Sequence, residues 1–467
     1  MLQELAGMVR ARTVSARELV ERALARIERH DGALNAVVAL RAEEALAEAD
    51  AVDAAAARGE RLGPLAGVPL LAKEVHDVKG MPTTQASLVF AEAAPATRDC
   101  LHIARLRHAG TIVVGKTNIP EFCFEGFTAN LLYGVTRNPW APDWSPGGSS
   151  GGSAAAIAAG MVPVATAGDG GGSIRIPAAF CGLAGIKPTH GLVARDGVPS
   201  WMDFTTDGPI AVSIDDLRLL LSIEAGPAAG DPAALPAGSV DLAPGQALPR
   251  RVFAAPRFAD WGPLPAIVGD LFADALQTLE ADLGLPVEPL EPGEVLRSGN
   301  VDADWTLTAS TEQAHEFGRD WIEANVDRFH PAFLAAMTFG LGVSIEDYLA
   351  ARRRRFAYVR ELDELLGTDA VLVSPTMAVE GFPADGVLPG EEAPGTPWSA
   401  YNTQAQNVTG HPALTVPAGV CPNGVPFGLQ ITGPRLADGM VLALGAAWER
   451  ARPWPRVAPG YEEFGPG

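Results

Sequence analysis

Two compact turns rich in glycine and serine stand out between residues 145 and 188, where the chain reads SPGGSSGGSAAAIAAGMVPVATAGDGGGSIRIPAAFCGLAGIKP. Glycine lets a backbone approach a ligand closely and aim several N–H groups at one point. Serine supplies hydroxyls that can act as a nucleophile or pass a proton on. These residue types predict a site for covalent catalysis in which backbone N–H groups stabilise an oxyanion.

The second turn suits the oxyanion role better than the first. A predicted strand, VPVATA, leads into the segment GDGGGS at residues 168–173. Ser173 at the end of this turn could attack a carbonyl whose oxygen the turn's N–H groups receive. A tight turn without any chemistry is the alternative, but the other cluster, around Ser149 and 24 residues earlier, favours catalysis.

A serine nucleophile needs a base, and no histidine of the chain stands in a motif that would supply one. The apolar stretch GPLAGVPLLAKE, residues 63–74, contains a single lysine. A strand that ends at Lys73 would place its amine at a sheet edge or in a cleft, where apolar neighbours favour the neutral form. A second serine could then lie between the amine and the nucleophile. The alternative is a surface lysine whose stem covers apolar neighbours.

Other catalytic motifs fit less well. Neither glycine cluster has the pattern of a phosphate-binding loop, and the histidines lack the spacing of metal ligands. Residues 147–151 satisfy GxSxG, the nucleophile elbow of α/β-hydrolases, with His411 as a later histidine. That motif needs a strand before the serine, whereas NPWAPDWSP precedes it here. We therefore expect no metal and no cofactor.

Composition excludes several classes of protein. The chain has 467 residues, 47% of them hydrophobic, and a formal net charge of −21. This charge would repel nucleic acid and anionic membrane surfaces, so neither is an expected partner. The first residues lack the basic start and apolar core of a signal peptide, and no apolar run approaches the ~20 residues that span a bilayer. A cytoplasmic location is the expectation.

Alternating helices and strands predict an α/β protein with a sheet covered by helices. Ser15 and Glu18 form a capping-box pattern that begins a helix, and Asp31-Gly32 is expected to end it. The remaining predicted elements are helices at 41–58, 99–109, 213–222, 266–283, 306–326, 344–366 and 436–451, and strands at 111–117, near 253, and at 371–376, 413–420 and 427–433. No change of composition divides the chain, so one large domain is expected.

Two aromatic segments lie close to the glycine-serine stretch in the sequence. Phe127 and Tyr133 belong to the first, EFCFEGFTANLLY, and Trp201 and Phe204 to the second, which follows residue 190. Aromatic residues at such spacing commonly pack in a core. The functional hypothesis is that these four residues line the substrate site and favour an aryl or apolar group.

With these residues in view, the chain resembles the amidase signature enzymes. The resemblance runs from the N-terminal helices to the final helix, and its most specific part is PGGSSGGSAAAIAAG…TAGDGGGSIRIPAAFCGLAGIKPTHG. Flanking pieces agree with it, namely GVPLLAKEVHDVKG, GKTNIPEF, YGVTRNPW and NVTGHPALTVPAG…GVPFGLQITG. The resemblance implies a single α/β/α domain whose mixed central sheet has about eleven strands.

The resemblance also implies roles for individual residues. Ser173 matches the nucleophile, Ser149 the bridging serine on a cis peptide bond after Gly148, and Lys73 the base. The positions that match the oxyanion hole are Gly170, Gly171, Gly172 and Ser173. The positions that match loop-supporting residues are Ser150, Asp169 and Arg175.

The implied activity is hydrolysis of a small-molecule amide, and by extension an ester or a carbamate as in a urethanase, through an acyl-enzyme on Ser173. The alternative is the A subunit of a tRNA-dependent glutaminyl or asparaginyl amidotransferase, which releases ammonia from glutamine. The segment GVPSWMDFTTDG after the KPT motif and the lack of a basic stretch argue against it. A monomer or a homodimer is expected.

The expected amidase domain covers residues 1–467. Its parts are N-terminal helices at 1–60, a signature core with the catalytic triad at 63–222, a variable substrate-side region at 223–400, and the C-terminal part of the core at 401–467.

Overall fold

One mixed sheet of eleven strands, covered by helices, organises the described part of the chain. The computed structural model describes residues 1–198, 201, 203–259, 261–395 and 397–465. Both the predicted α/β class and the expected number of strands are confirmed.

The strands contribute to the sheet in the order β1-β3-β2-β6-β8-β7-β12-β13-β11-β9-β10, while β4 and β5 pair with each other outside it. Several central strands are buried along their whole length, which suits apolar runs covered on both faces. The strand bounds are β1 Val37–Leu40, β2 Pro69–Lys73, β3 Ile112–Thr117, β4 Ala129–Asn130, β5 Gly134–Val135, β6 Val164–Asp169, β7 Ala184–Lys187, β8 Thr206–Ala211, β9 Arg251–Ala254, β10 Val287–Pro289, β11 Ala370–Pro375, β12 Ala413–Val420 and β13 Pro426–Thr432.

Helices flank the sheet, and some of the later helices also pack against one another. The first helices, α1 Leu2–Ala11, α2 Ala16–Leu34, α3 Ala42–Ala57, α4 Leu101–His108, α5 Gly151–Ala158, α6 Arg175–Phe180 and α7 Ile214–Glu224, include the two that follow the glycine-serine turns. The later helices are α8 Ala266–Ala281, α9 Pro292–Val295, α10 Val301–Phe317, α11 Arg319–Glu323, α12 Pro331–Gly342, α13 Ile345–Leu366, α14 Gln404–Thr409 and α15 Asp438–Ala451.

Strands β2 and β6 are parallel neighbours, and this brings distant residues together. Their register pairs Leu70 with Val164 and Leu71 with Ala165. Because parallel strands end at the same edge of a sheet, Lys73 at the end of β2 and Asp169 at the end of β6 emerge side by side. The glycine turn that follows β6 therefore starts next to the lysine that precedes it by about a hundred residues in the sequence.

The N-terminal region differs from its prediction in two places. The capping box of Ser15 and Glu18 is present, but α2 continues through Asp31-Gly32 to Leu34. The Asp31 carboxylate accepts the N–H groups of Ala36 and Val37, so it fixes the chain after the helix rather than ending the helix itself. The following strand, β1, was not predicted.

The helices between 300 and 345 also differ from their prediction. A single helix was expected at 306–326, whereas α10 ends at Phe317 and the short α11 follows it. Gly318 between them has a φ of 83°, which stops the first helix. Helix α12 was not predicted at all, because it is apolar over most of its length and lacks a helical polar face.

Among the described residues, no single helix has the length and apolar composition needed to cross a membrane. The pair α12 and α13 meets those two criteria only when its members are taken together across a bend of 101°.

We expect Gly340→Ala to destabilise the protein, because α12 touches α10 at this glycine. A Cβ there would lie 2.1 Å from the carbonyl oxygen of Ser310. Overpacking against backbone costs about 1–3 kcal/mol, which denaturant unfolding would measure. Gly342→Ala on the same helix is the matched control, since a Cβ at Gly342 meets no atom within 4 Å. Equal stability of the two variants would contradict this account of the contact.

Candidate active site

Lys73 is buried, with 2% of its surface exposed, and its side-chain nitrogen has two close partners. Its Nζ lies 2.8 Å from Oγ of Ser149 and 3.1 Å from the carbonyl oxygen of Gly168. Its backbone N–H donates to Oγ1 of Thr166 at 2.8 Å. No carboxylate of the described chain lies within ion-pair distance of Nζ. The amine therefore faces a hydroxyl, not a counter-charge.

The first glycine-serine turn presents Ser149 to this amine. The peptide bond between Gly148 and Ser149 is cis, as the family resemblance implies. The turn packs against the backbone, since a Cβ on Gly148 would lie 2.7 Å from the carbonyl oxygen of Phe127. Thr128 donates its hydroxyl proton to the Gly147 carbonyl at 2.7 Å, which fixes the turn from the other side. The glycines are thus required by close backbone packing.

Ser173 lies in the second turn and faces the same cavity as Lys73 and Ser149. Its residue surface is 8% exposed. The carbonyl of Ser173 accepts the N–H of Ser150 at 3.3 Å, so the two turns are joined directly. The structure thereby brings together the three residues predicted to form a triad.

A buried ion pair holds the second turn. The carboxylate of Asp169 accepts hydrogen bonds from Nε and Nη2 of Arg175, both at 2.9 Å, and both residues are fully buried. Burial alone would raise the pKa of Asp169, but the Arg175 charge and the hydrogen bonds outweigh it and lower the pKa to about 2. Nη1 of Arg175 donates to Gln406 and Gln430. Asp169 and Arg175 therefore attach the turn to helix α14, which carries Gln406, and to strand β13, which carries Gln430.

The N–H groups of the turn divide into two sets. The N–H of Gly172 donates to Oδ1 of Asp169 at 2.7 Å. Within the residues that the structure describes, the N–H groups of Gly170, Gly171 and Ser173 have no hydrogen-bond acceptor. The prediction that Gly172 belongs to the oxyanion hole therefore needs correction, because Asp169 already occupies its N–H group.

The cavity at Ser173 has a volume of about 570 Å³ and two chemically different parts. The rings of Phe90, Phe122, Phe317 and Trp201 form the apolar part. The ring centroids of Phe122 and Phe317 are 5.0 Å apart, and those of Phe90 and Phe122 are 5.8 Å apart. The polar part is lined by His76, Asp77, Arg195 and Asp207.

Trp201 is the only one of the four predicted aromatic residues that lines this cavity in the described chain. Phe204 is buried in the aromatic core behind it, and Arg355 lies over its ring. Met202, which precedes Phe204, is outside the described residues. The prediction of substrate contact by Phe204 is therefore corrected.

Phe127 and Tyr133 also lie away from the cavity. Phe127 is fully buried and packs against Gly386, where a Cβ would come within 2.4 Å of the ring. The hydroxyl of Tyr133 lies 3.0 Å from Oγ1 of Thr84, and its carbonyl accepts the side-chain amide of Asn35. Both residues come after Phe122, which does line the cavity. The predicted segment therefore contributes to the cavity wall, but through Phe122 and not through Phe127 or Tyr133.

Several residues of the site carried no usable sequence signal. Oγ1 of Thr166 lies 2.7 Å from Nδ1 of His76, whose Nε2 lies 3.2 Å from Oδ1 of Asp207. The charge and hydrogen bond of His76 lower the pKa of Asp207 despite its burial. Thr166 thus connects the backbone of Lys73 to the contacting side chains of His76 and Asp207 in the cavity wall.

The model of the amidase family matches residues 18–442. An acylamidase of Rhodococcus erythropolis is 33% identical, with 98% of this chain and 96% of that protein covered. The A subunit of a glutamyl-tRNA(Gln) amidotransferase from Mycobacterium ulcerans is 35% identical, with 96% of each chain covered. The solved structure of a bacterial aryl acylamidase superimposes with a TM-score of 0.85 at 28% identity, covering 96% of this chain and 95% of that one.

Fold, site and similarities together define an enzyme that hydrolyses amide bonds. The chain belongs to the amidase signature family.

Glu121 precedes the cavity residue Phe122 and is buried, and it forms no salt bridge with any of the described residues. Its Oε2 accepts the backbone N–H of His330 at 2.7 Å. Burial raises the pKa of Glu121 to about 7, while hydrogen bonds from Ser87 and His330 oppose the rise. The folded protein therefore keeps this proton well above the pH at which an unfolded chain releases it.

We expect the free energy of unfolding to fall as the pH rises from about 5 to 7, because the unfolded state then binds fewer protons than the folded state. Glu121→Gln should remove this part of the fall, which we expect to be on the order of 2–3 kcal/mol. Denaturant unfolding at pH 5 and pH 8 measures the difference. Glu280→Gln, at an exposed position of α8, is the control. Parallel pH profiles of wild type and Glu121→Gln would contradict the expectation.

Proposed function

We propose that this amidase acts through an acyl-enzyme on Ser173, with Ser149 as the relay and Lys73 as the base. The observation that carries the proposal is the 2.8 Å contact between Nζ of Lys73 and Oγ of Ser149, at the wall of the cavity that Ser173 also lines. A base within hydrogen-bond distance of a hydroxyl, beside free backbone donors, is the arrangement that activates a serine nucleophile.

The first half of the reaction forms the acyl-enzyme. Oγ of Ser173 attacks the amide carbonyl carbon while its proton moves to Ser149, and the Ser149 proton moves to the neutral amine of Lys73. The N–H groups of Gly171 and Ser173 receive the negative oxygen of the tetrahedral intermediate. The protonated Lys73 then returns a proton through Ser149 to the leaving nitrogen, the C–N bond breaks, and the amine departs.

The second half releases the acid. Water attacks the acyl carbon, gives up a proton through Ser149 to Lys73, and forms a second tetrahedral intermediate. Its collapse breaks the bond to Oγ of Ser173, which takes back the proton.

The substrate we propose is an amide with an aryl or apolar group, and esters or carbamates of similar shape are included. Phe90, Phe122 and Phe317 form one wall of the cavity, and aromatic rings favour flat apolar partners. The relatives named as acylamidase and aryl acylamidase agree with this choice.

The second candidate is the A subunit of a tRNA-dependent amidotransferase, which the 35% identity to such a protein favours. The formal net charge of −21 and the aromatic cavity wall support the stand-alone hydrolase instead. We further propose one amidase domain over the whole chain, since the strands of the one sheet come from residues 37–432. A cytoplasmic location and a monomeric or homodimeric state stay predictions from the sequence.

We expect Ser173→Ala to lower kcat by at least ~10³-fold, because the acyl-enzyme cannot form. The assay follows hydrolysis of an aryl amide by the purified chain without tRNA or other proteins, and mass spectrometry follows labelling of Ser173 by a fluorophosphonate. Ser153→Ala is the control, since Ser153 is buried in the same stretch and bonds to Thr117 and Thr166, not to substrate. Activity that appears only with partner proteins and tRNA would support the amidotransferase, and an unlabelled Ser173 would contradict the mechanism.

We expect Phe90→Ala to raise KM for an aryl amide about 5–10-fold and to leave KM for a short aliphatic amide unchanged, because only the aryl group contacts this ring. Phe90 is 36% exposed, so its loss should not collapse the core. Phe356→Ala is the control, at a 75% exposed phenylalanine that does not line the cavity at Ser173. An unchanged KM for the aryl amide would show that the aromatic wall does not bind the substrate.

A further inference from the structure

Two indole rings close on the glycine turn at Ser173 from the side of the helices. A Cβ on Gly170 would lie 2.5 Å from Cε3 of Trp201, and a Cβ on Gly171 would lie 2.5 Å from Cζ2 of Trp305. The two rings meet edge to face, with centroids 5.7 Å apart. Both tryptophans are nearly buried, at 5% and 6% exposure. The peptide between the two glycines is therefore enclosed by rigid rings.

Trp305 also makes a directional contact with this peptide. Its Nε1–H donates to the carbonyl oxygen of Gly170 at 2.7 Å. Indole is a donor only, and the carbonyl lies in a buried setting, so this hydrogen bond has no solvent competitor. In a trans peptide the N–H points opposite to the C=O. Fixing the Gly170 oxygen on Trp305 therefore turns the N–H of Gly171 away from the indole.

Three more polar groups of the turn have hydrogen-bond partners in the protein. The Gly171 carbonyl accepts the hydroxyl of Thr403 at 2.6 Å, and the Gly172 carbonyl accepts the N–H of Ile176 at 2.7 Å. The Gly172 N–H is used by Asp169. Among the described residues, the N–H groups of Gly170, Gly171 and Ser173 are left without acceptors, and the proposed oxyanion uses those of Gly171 and Ser173.

We propose that Trp305 is a positioning residue for amide hydrolysis, because its indole N–H holds the Gly170–Gly171 peptide so that the Gly171 N–H is preorganised for the oxyanion. This inference rests on the proposed function of Ser173. Trp305 touches neither substrate nor reacting atoms in this role. It acts through the Gly170–Gly171 peptide. An oxyanion donor that is already oriented stabilises the transition state more than the ground state, because the negative charge on the oxygen develops only in the transition state.

The test replaces the indole N–H while keeping a ring in place. Trp305→Phe should lower kcat about 10–100-fold with KM changed less than twofold, since removing an oxyanion donor itself costs about 10²–10³-fold. The affinity for a boronic acid that forms a tetrahedral adduct with Ser173 should fall by the same factor as kcat. Binding of an unreactive substrate analogue should not change.

Trp448→Phe is the matched control, because the buried indole of Trp448 also donates to a backbone carbonyl, that of Pro417 at 3.0 Å. It should leave kcat and boronic acid affinity unchanged. Should Trp305→Phe fail to fold, replacement of Trp305 by 3-benzothienylalanine keeps the ring shape and removes only the N–H. The same losses are expected from it.

The outcomes separate the two proposals. Full labelling of Ser173 together with wild-type kcat in the Trp305 variants would overturn the positioning role and leave the proposed function standing. A rise in KM with unchanged kcat would also overturn it, since Trp305 would then act in ground-state binding. Absence of labelling at Ser173 in the wild type would overturn the proposed function itself.

Discussion

The buried ion pair between Asp169 and Arg175 is the constraint on which the glycine turn at Ser173 depends. A buried carboxylate is costly unless it is paired and hydrogen-bonded, and here one carboxylate receives the guanidinium and two backbone N–H groups. Because the Asp169 carboxylate accepts the N–H groups of Gly172 and Ile174, the chain after β6 forms a tight turn. Removing either partner would leave an uncompensated buried charge, so the turn and the ion pair form one unit.

Sheet topology places this unit beside Lys73. The parallel pairing of β2 and β6 places the lysine of one strand beside the turn that follows the other. The first glycine-serine turn then reaches across both, and helix α10 covers them with Trp305. Residues from four separate parts of the sequence therefore form one site, and the pairing of β2 with β6 brings two of those parts together.

Much of this arrangement could be predicted from the sequence. The glycine-serine turns, the buried strand that ends at Lys73 and the α/β class are local patterns, and the structure has each of them. The role of Trp305 could not be predicted, because its partner is 135 residues away and no local pattern records such a pairing. The hydrogen bond from the Gly172 N–H to Asp169 could not be predicted either, because residues 170–173 are four consecutive small residues. The sequence does not show which of their N–H groups donates to the carboxylate. Phe127 shows the limit of sequence proximity, because this aromatic residue lies near the site in the sequence and yet packs in a buried cluster.

The register between β2 and β6 has a further consequence. The two strands pair only through Leu70 and Leu71, and beyond that point the gap between them is crossed by Lys73 itself. Its backbone reaches the Thr166 hydroxyl and its side chain reaches the Gly168 carbonyl, both on β6. Lys73 therefore links the two strands beyond their backbone pairing, in addition to its proposed role as the base. The candidate active site thus begins where the backbone pairing of β2 and β6 ends.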